Sequence, residues 1–321
     1  MQNNRISADE YPGKSRVSES NSDNRVGISR QALTSFVALK RIMPQIVINQ
    51  RGTWGWLHRW GWKGIGALYV VAFLALGASA NPVEKGLEIA READRHDQGF
   101  MDSVAQLQMI LKDAHGETST RSLQIYTLEI VQEDRGDKIL VIFNQPPDIK
   151  GTALLTHTYI QQQDDQWFYL PAFKRIKRIS STNKSGPFLG SEFAYEDFIA
   201  QEVAKYTYRY LREEDCNRLR CFVVERVPVD KYSGYSRQIA WIDMEEYRYQ
   251  KVEFYDRKHS LLKTLVFSNY RQYLDTYWRA LTLDMKNHQT NKETQMLFSN
   301  YRFQTGLTDR DFTSSKLKQI R

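Results

Sequence analysis

The chain contains few of the residue patterns that catalytic or metal sites require. Five histidines follow residue 80, and no two of them are spaced as a ligand pair such as HExxH. The sequence has no GxSxG nucleophile elbow and no glycine-rich phosphate loop. The pairs Glu196-Asp197, Glu213-Glu214 and Glu245-Glu246 are typical of solvated faces or turns, not of an acid and base couple. We therefore expect that the protein is not an enzyme and has no metal site and no cofactor. A secreted hydrolase is a minor alternative.

Cys216 and Cys221 are the two cysteines of the chain, and four residues separate them. A hairpin over those residues would bring the two sulfur atoms together. An even number of cysteines in an oxidising compartment favours a structural disulfide. A zinc site is a weaker alternative because no nearby histidine or further cysteine completes four ligands. Two free thiols are the remaining alternative.

Residues 167–198, WFYLPAFKRIKRISSTNKSGPFLGSEFAYEDF, concentrate aromatic and basic side chains. Within them Phe173, Ile176 and Ile179 recur at every third residue, which interrupts strand alternation. One interpretation is that the aromatic side chains pack in the core while the cations face solvent. The other is a concave apolar surface, or its gate, that accepts acyl chains with anionic or polar head groups. On that hypothesis the ligand-contacting residues are Tyr169, Phe173, Phe188, Leu189, Phe193 and Tyr195, and the rim cations are Lys174, Arg175, Lys177 and Arg178.

The elements that must position this segment are mostly strands. Residues 82–114 are predicted to be helical, with a second helical stretch through Val104, Leu107, Ile110 and Leu111. From residue 122 to residue 303 the period changes to two, which predicts about a dozen strands. Residues 180–201 interrupt this rhythm and are predicted to be a long loop with a short helix. Short connections favour an antiparallel meander that curls towards a barrel or splits into a sandwich.

The basic excess of the chain lies almost entirely in its first eighty residues. The sequence has 45 Lys+Arg and 38 Asp+Glu, a net charge of +7. Ten of those bases and four of those acids lie in residues 1–80, so this quarter alone carries +6. A nucleic-acid-binding protein would need its basic excess in the folded part, as a patch against phosphates. Nucleic acid is therefore not an expected partner.

An uncharged stretch, residues 64–80, follows Arg59 and Lys63 and ends in Ala-Ser-Ala. This layout is typical of a cleavable secretory signal peptide. A membrane anchor is the alternative, but it needs about 20 apolar residues. Met43 lies close to the stretch and is a candidate for the true start. We expect residues 1–80 to be a leader and residues 81–321 to be an exported protein, soluble after cleavage.

The sequence resembles the outer membrane lipoprotein-sorting protein family, relatives of the LolA-like periplasmic carriers. The resemblance is carried by FNQPPDIKGTALL at residues 143–155, FYLPAFKRIKRI at 168–179 and FLGSEFAYEDF at 188–198. A Trp-Arg-x-Leu…Met-x-Asn-His-x-Thr…Thr pattern follows at 278–294, so the motifs keep the order of the family. The resemblance implies a mainly β fold: a strongly curved antiparallel sheet, an unclosed half-barrel, with helices capping its concave apolar face.

The resemblance also implies a function, a periplasmic carrier that shelters the acyl chains of a lipid or lipoprotein during transfer towards the outer membrane. Its implied partners are those acyl chains, an inner-membrane exporter and an outer-membrane acceptor. The alternative is an adaptor subunit of an exporter of the resistance–nodulation–division type that carries nothing. An acyl chain in water is less stable than a buried one by about 0.8 kcal/mol per CH₂. A half-barrel under movable helices could bury such a chain reversibly.

Overall fold

The computed structural model describes residues 81–132 and 134–320. The predicted leader, its apolar stretch and Met43 lie outside these ranges, so the division at residue 80 stays a prediction. None of the helices in the described ranges combines the length and apolarity of a membrane span.

One helix and a long series of strands make up the described chain. Helix α1 spans Pro82–Asp97, and a short helix α2 spans Ser314–Leu317 near the carboxyl end. Twelve strands follow one another after residue 117, in agreement with the period of two seen in the sequence. The strands are β1 Asp102–Lys112, β2 Thr118–Leu128, β3 Arg135–Gln145, β4 Ala153–Tyr159, β5 Asp165–Leu170, β6 Arg175–Ile179, β7 Tyr206–Cys216, β8 Leu219–Pro228, β9 Tyr235–Asp243, β10 Tyr249–Asp256, β11 Leu261–Tyr273, β12 Tyr277–Asn287 and β13 Glu293–Phe303.

All of these strands belong to one antiparallel sheet that does not close. Its order is β6-β5-β4-β3-β2-β1-β13-β12-β11-β10-β9-β8-β7. Strands β1–β6 form the first meander and strands β7–β13 the second, and the two meet where β1 pairs with β13. Strands β6 and β7 are the two edges. The chain between them, residues 180–205, forms only short 3₁₀ turns and no strand, and we call it the crossing segment. The predicted curved, unclosed sheet and the predicted long loop are both confirmed.

The second predicted helical stretch is wrong, because its residues form strand β1. Leu107 and Met109 point to the core while Gln106 and Gln108 are exposed, which is a period of two. A bulge between Val104 and Gln106 shifts the register against β13. The bulge buries two consecutive residues, so the apolar spacing around it imitates a helix.

Helix α1 begins where the sequence predicts and packs closely on an edge strand. The Asn81 side chain accepts a hydrogen bond from the Val83 amide at 3.1 Å, and Pro82 occupies the first turn. Gly86 faces strand β7 so closely that a Cβ there would lie 2.6 Å from the backbone nitrogen of Tyr210. The absence of a side chain at Gly86 therefore allows the helix to lie on the strand.

The two faces of the sheet have separate apolar clusters. The larger cluster lies on the concave face, where α1 and the crossing segment pack against alternate strand residues. On the opposite face, Phe312 and Leu317 of the carboxyl-terminal segment cover the first meander. His157 Nε2 lies 2.6 Å from the Phe312 carbonyl oxygen, and Lys138 pairs with Asp309 at 2.8 Å. Both faces are thus covered, and the concave face carries the larger core.

Candidate functional site

A cavity of about 510 Å³ lies between the concave face, helix α1 and the crossing segment. Its size is within the range of small-ligand sites. Strands of both meanders contribute to the wall, so the cavity spans the sheet and not one hairpin. The wall is mainly aromatic and aliphatic, and its larger apolar members are Phe100, Ile125, Ile139, Phe193, Tyr208, Tyr249, Val252, Phe254, Leu265, Phe267, Tyr270, Trp278, Leu283, Phe298 and Tyr301.

Three arginines also line the cavity, and they differ in their partners. Arg248 Nε lies 2.8 Å from an oxygen of Asp243, and Arg279 pairs with Asp97 at the end of α1. Arg226 on β8 is only 6% exposed and has no carboxylate within 4 Å among the described residues. The mainly apolar wall therefore contains one buried guanidinium that has no counter-ion among the described residues.

Acidic side chains line the wall where α1 meets the crossing segment. Burial raises the pKa of Asp94 on α1 to about 6, and the nearby charges of Glu202, Asp97 and Glu129 add to that rise. Burial likewise raises the pKa of Asp137 on β3 to about 7. Helix α1 and the crossing segment are the covering elements of the cavity. Where they meet each other and β3, the carboxyl groups resist ionisation.

The crossing segment is fastened to the sheet by its acidic residues. Asp197 accepts hydrogen bonds from Lys263 Nζ at 2.8 Å and from the Tyr235 hydroxyl at 2.8 Å. Glu196 accepts hydrogen bonds from the Ser233 hydroxyl at 2.7 Å, and burial raises its pKa. The pair Glu196-Asp197, which the sequence suggests is solvated, is therefore an anchor for the segment within a 3₁₀ turn.

The structure separates the six apolar residues that the sequence predicts for the cavity or its gate. Phe193 lines the cavity and is 4% exposed. Phe188 is fully buried against Phe143 and Phe198, while Leu189 and Tyr195 are half-buried against the same core. The other two point elsewhere: Tyr169 packs in the cluster on the opposite face, and Phe173 is 70% exposed at the β5–β6 turn. Their roles in ligand binding stay predictions, and Phe193 is the member best placed for it.

The four predicted rim cations lie together at the β5–β6 hairpin. Lys174 occupies the turn with a left-handed backbone (φ 49°), and Arg175, Lys177 and Arg178 are exposed on β6. Within the described ranges, Arg178 is the one of the four that pairs with a carboxylate, that of Asp165. None of the four is part of the lining of the 510 Å³ cavity, so their rim role also stays a prediction.

A disulfide joins Cys216 and Cys221 across the β7–β8 turn, which confirms the structural pairing. The described part of the chain contains no group of three or more potential metal ligands.

The sequence interpretation missed Arg226, although a signal for it exists. Phe222 and Val224 point to the concave face, whereas Cys221 and Val223 point to the other. Arg226 continues the register of Phe222 and Val224, so strand alternation alone assigns it to the concave face. Because the side chain is charged, the sequence suggests that it faces solvent. Its burial becomes evident only when α1 and the crossing segment are placed over the sheet.

Comparisons with known proteins find close structural relatives. A domain described provisionally as an outer membrane lipoprotein-sorting protein, from Vibrio parahaemolyticus, is 56% identical with a TM-score of 0.72, over 74% of this chain and 99% of that domain. A DUF1329 family protein from Desulfovibrio piger is 30% identical with a TM-score of 0.70, over 74% and 99%. A LolA superfamily protein from Nitrosomonas europaea, at 19% identity and a TM-score of 0.59 over 72% and 98%, shares the fold.

A family model described as an uncharacterised protein matches residues 135–319, which is more than half of the chain. No curated protein matches the chain. The match to the Vibrio domain extends over nearly the whole of that domain. The chain therefore belongs to the same family as the outer membrane lipoprotein-sorting domain of Vibrio parahaemolyticus and the DUF1329 protein.

Proposed function

We propose that the protein carries a lipid, or the acyl chains of a lipoprotein, through the periplasm towards the outer membrane. The observation that supports this most directly is the aromatic cavity of about 510 Å³ under α1 and the crossing segment. An acyl chain buried there is more stable than in water by about 0.8 kcal/mol per CH₂. Such binding needs no covalent chemistry and is reversible when the covering elements move.

The cavity size favours one or two acyl chains over a whole protein domain. Small-ligand sites of about 300–1,000 Å³ bury most of a drug-sized molecule. A lipoprotein cargo would therefore place its lipid in the cavity and keep its polypeptide outside. The donor on this proposal is an inner-membrane exporter, and the acceptor lies at the outer membrane.

The test is to purify the protein after export, extract it with organic solvent and identify the extract by lipid mass spectrometry. We expect lipid at close to one equivalent per chain. Ala280→Trp, which fills the cavity wall on β12, should lower the bound lipid at least fivefold while the circular dichroism spectrum stays native. Ala172→Trp is the matched control, because Ala172 is exposed at the β5–β6 turn and lies outside the lining.

An extract without lipid, together with no uptake of a fluorescent fatty acid by the purified protein, would contradict the carrier. That result would favour the alternative of an exporter adaptor that carries nothing. Equal lipid loss in Ala280→Trp and Ala172→Trp would move the binding site away from this cavity.

A further inference from the structure

Arg226 is a buried cation whose donors are mostly unused. Its Nε donates to Gln238 Oε1 at 2.6 Å, and one Nη lies 3.4 Å from the Tyr249 hydroxyl. A guanidinium has five N–H donors in a planar fork. More than half of those donors thus have no acceptor within the part of the chain that the structure describes.

The surroundings of Arg226 stabilise the charge only in part. Its guanidinium carbon lies 5.1 Å from the ring centre of Tyr206 and 5.4 Å from that of Tyr249, which gives cation–π attraction. The carboxylate whose charge acts on it, that of Asp197, is already bound by Lys263 and by the Tyr235 hydroxyl. A buried charge without a counter-ion is costly, and an added anion would supply one.

The other two arginines of the cavity wall already have a carboxylate partner. The guanidinium groups of Arg248 and Arg279 are bonded to Asp243 and Asp97. A second unused donor is Nε1 of Trp278, which is buried without an acceptor and belongs to a residue of the same lining. Arg226 pairs with Gln238 on β9, whereas Trp278 pairs with Gln272 near the β11–β12 turn, so the two donors are separate features of the wall.

We propose that Arg226 binds the anionic head group of the amphiphile, through carboxylate or phosphate oxygens, while the acyl chain lies along the aromatic wall. This inference rests on the proposed lipid-carrying function and adds the chemical class of the ligand. A guanidinium fork matches either oxyanion with two parallel hydrogen bonds. The head group would therefore bind deep in the cavity instead of at its mouth.

The experiment compares ligands that share a sixteen-carbon chain and differ in head group: palmitate, palmitoyl lysophosphatidate and hexadecanol. Dissociation constants are measured by intrinsic tryptophan fluorescence for the delipidated exported protein. We expect one or both anions to bind at least tenfold more tightly than hexadecanol. Arg226→Gln should remove this preference by weakening the anions and leaving hexadecanol within twofold, and Arg226→Lys should keep part of it.

Arg209→Gln is the matched control, because Arg209 lies on the neighbouring strand β7, is exposed and pairs with Glu225. It should behave as the wild type. Palmitate against lysophosphatidate distinguishes carboxylate from phosphate as the preferred head group. Inorganic phosphate competing as strongly as lysophosphatidate would reveal a site for a free ion and overturn the proposal.

Two further results would overturn the inference and leave the carrier function intact. One is equal affinity of the wild type for all three ligands, a result that requires no variant to fold. The other is an anion preference that Arg226→Gln retains. If none of the three binds, the carrier function itself fails.

Discussion

At the residue scale, the acids on the cavity wall oppose each other across three elements. Asp94 and Asp97 come from α1, Asp137 from β3 and Glu202 from the crossing segment. The Asp137 carboxylate accepts one hydrogen bond from the Ile130 amide at 3.1 Å, which offsets burial only in part. Lys205 is the nearby cation that lowers the pKa of Glu202, against a larger rise from burial. Ionisation of these groups at neutral pH therefore weakens the contact between the covering elements.

This cluster predicts a pH dependence of stability. A carboxyl group whose pKa is higher in the folded state binds more protons there, so its contribution is largest at low pH and falls as pH rises. For Asp137 the fall lies between its ordinary pKa of 3.8 and about 7. Asp137→Asn should raise the free energy of unfolding at pH 8 by about 1–2 kcal/mol and leave the value at pH 4 nearly unchanged.

Urea denaturation at pH 4, 6 and 8 measures this effect, and Asp215→Asn is the control because the Asp215 side chain is 83% exposed. The asparagine keeps an acceptor for the Ile130 amide, so packing is conserved. Equal slopes of stability against pH in the wild type and Asp137→Asn would refute the assignment.

The residue scale is also where sequence analysis reached least far. Aromatic density drew attention to residues 167–198, and of the six apolar residues chosen there Phe193 lies in the cavity wall. Density could not separate Phe193 from Phe188, because both are apolar and five residues apart in one loop. Their difference arises from the path of the crossing segment over the sheet, which depends on contacts distant in sequence.

At the element scale, helix α1 is held by close backbone contact more than by large side chains. The Gly86 position lies against Arg209 and Tyr210, and neither backbone can yield to a new Cβ. Leu87, Ile89 and Ala90 of the helix pack in the larger apolar cluster. The helix therefore rests on β7 at one defined height above the cavity.

Gly86→Ala should reverse the usual effect of this substitution. In a helix interior, alanine is normally more stable than glycine by about 1 kcal/mol. Here the added methyl would lie 2.6 Å from the Tyr210 nitrogen, so we expect a loss of about 1–3 kcal/mol in the free energy of unfolding. Urea denaturation measures the loss, with Glu88→Ala on the exposed side of α1 as the control. A stabilised Gly86→Ala protein would show that the helix is not packed this closely.

Strand β6 gives its cations a second explanation besides a ligand rim. It is an edge of the sheet, and edge strands commonly carry charged residues that prevent pairing with another chain. Arg175, Lys177 and Arg178 are exposed along that edge. The spacing of the apolar residues could not reveal this, because it indicates an irregular strand without telling which strands lack a neighbour.

At the scale of the whole molecule, the crossing segment joins the two edges of the sheet and is anchored midway by one buried ion pair. The Lys263 side chain is 4% exposed, and its Nζ also donates to the Glu192 carbonyl oxygen at 2.9 Å. The pair links the segment to β11 in the second meander. This pair therefore fixes the crossing segment to the sheet, together with the pairs Lys184–Asp230 and Lys205–Asp164.

Lys263→Met should leave the Asp197 carboxylate buried without its cation, at a cost of about 3–5 kcal/mol in the free energy of unfolding. Limited proteolysis should then cleave within residues 180–205 faster than in the wild type. Lys286→Met is the control, because the Lys286 side chain on β12 is exposed. The double variant with Asp197→Asn should recover part of the loss, and additive losses would exclude the pair as the anchor.

Most of the architecture of the whole molecule could be predicted from the sequence. Alternation from residue 122 onwards predicted the number of strands, and short turns predicted their antiparallel order. The pairing of β1 with β13 could not be found from period or turns, because it joins distant parts of the chain. The bulge near Val104 concealed β1 itself.

The pairing of Ser103 on β1 with Phe303 on β13 sets an order of assembly. Until the last strand arrives, β1 has a neighbour on one side only, and its other side is an open edge. Each meander can form from local contacts, but the pairing of β1 with β13 must wait until the loop between residues 103 and 303 closes. Chain ends that meet late expose the nascent protein to self-association. A truncation that removes β13 would therefore leave two separate sheets. Each would have an additional unpaired edge strand, β1 or β12, and the cavity that spans both would be lost.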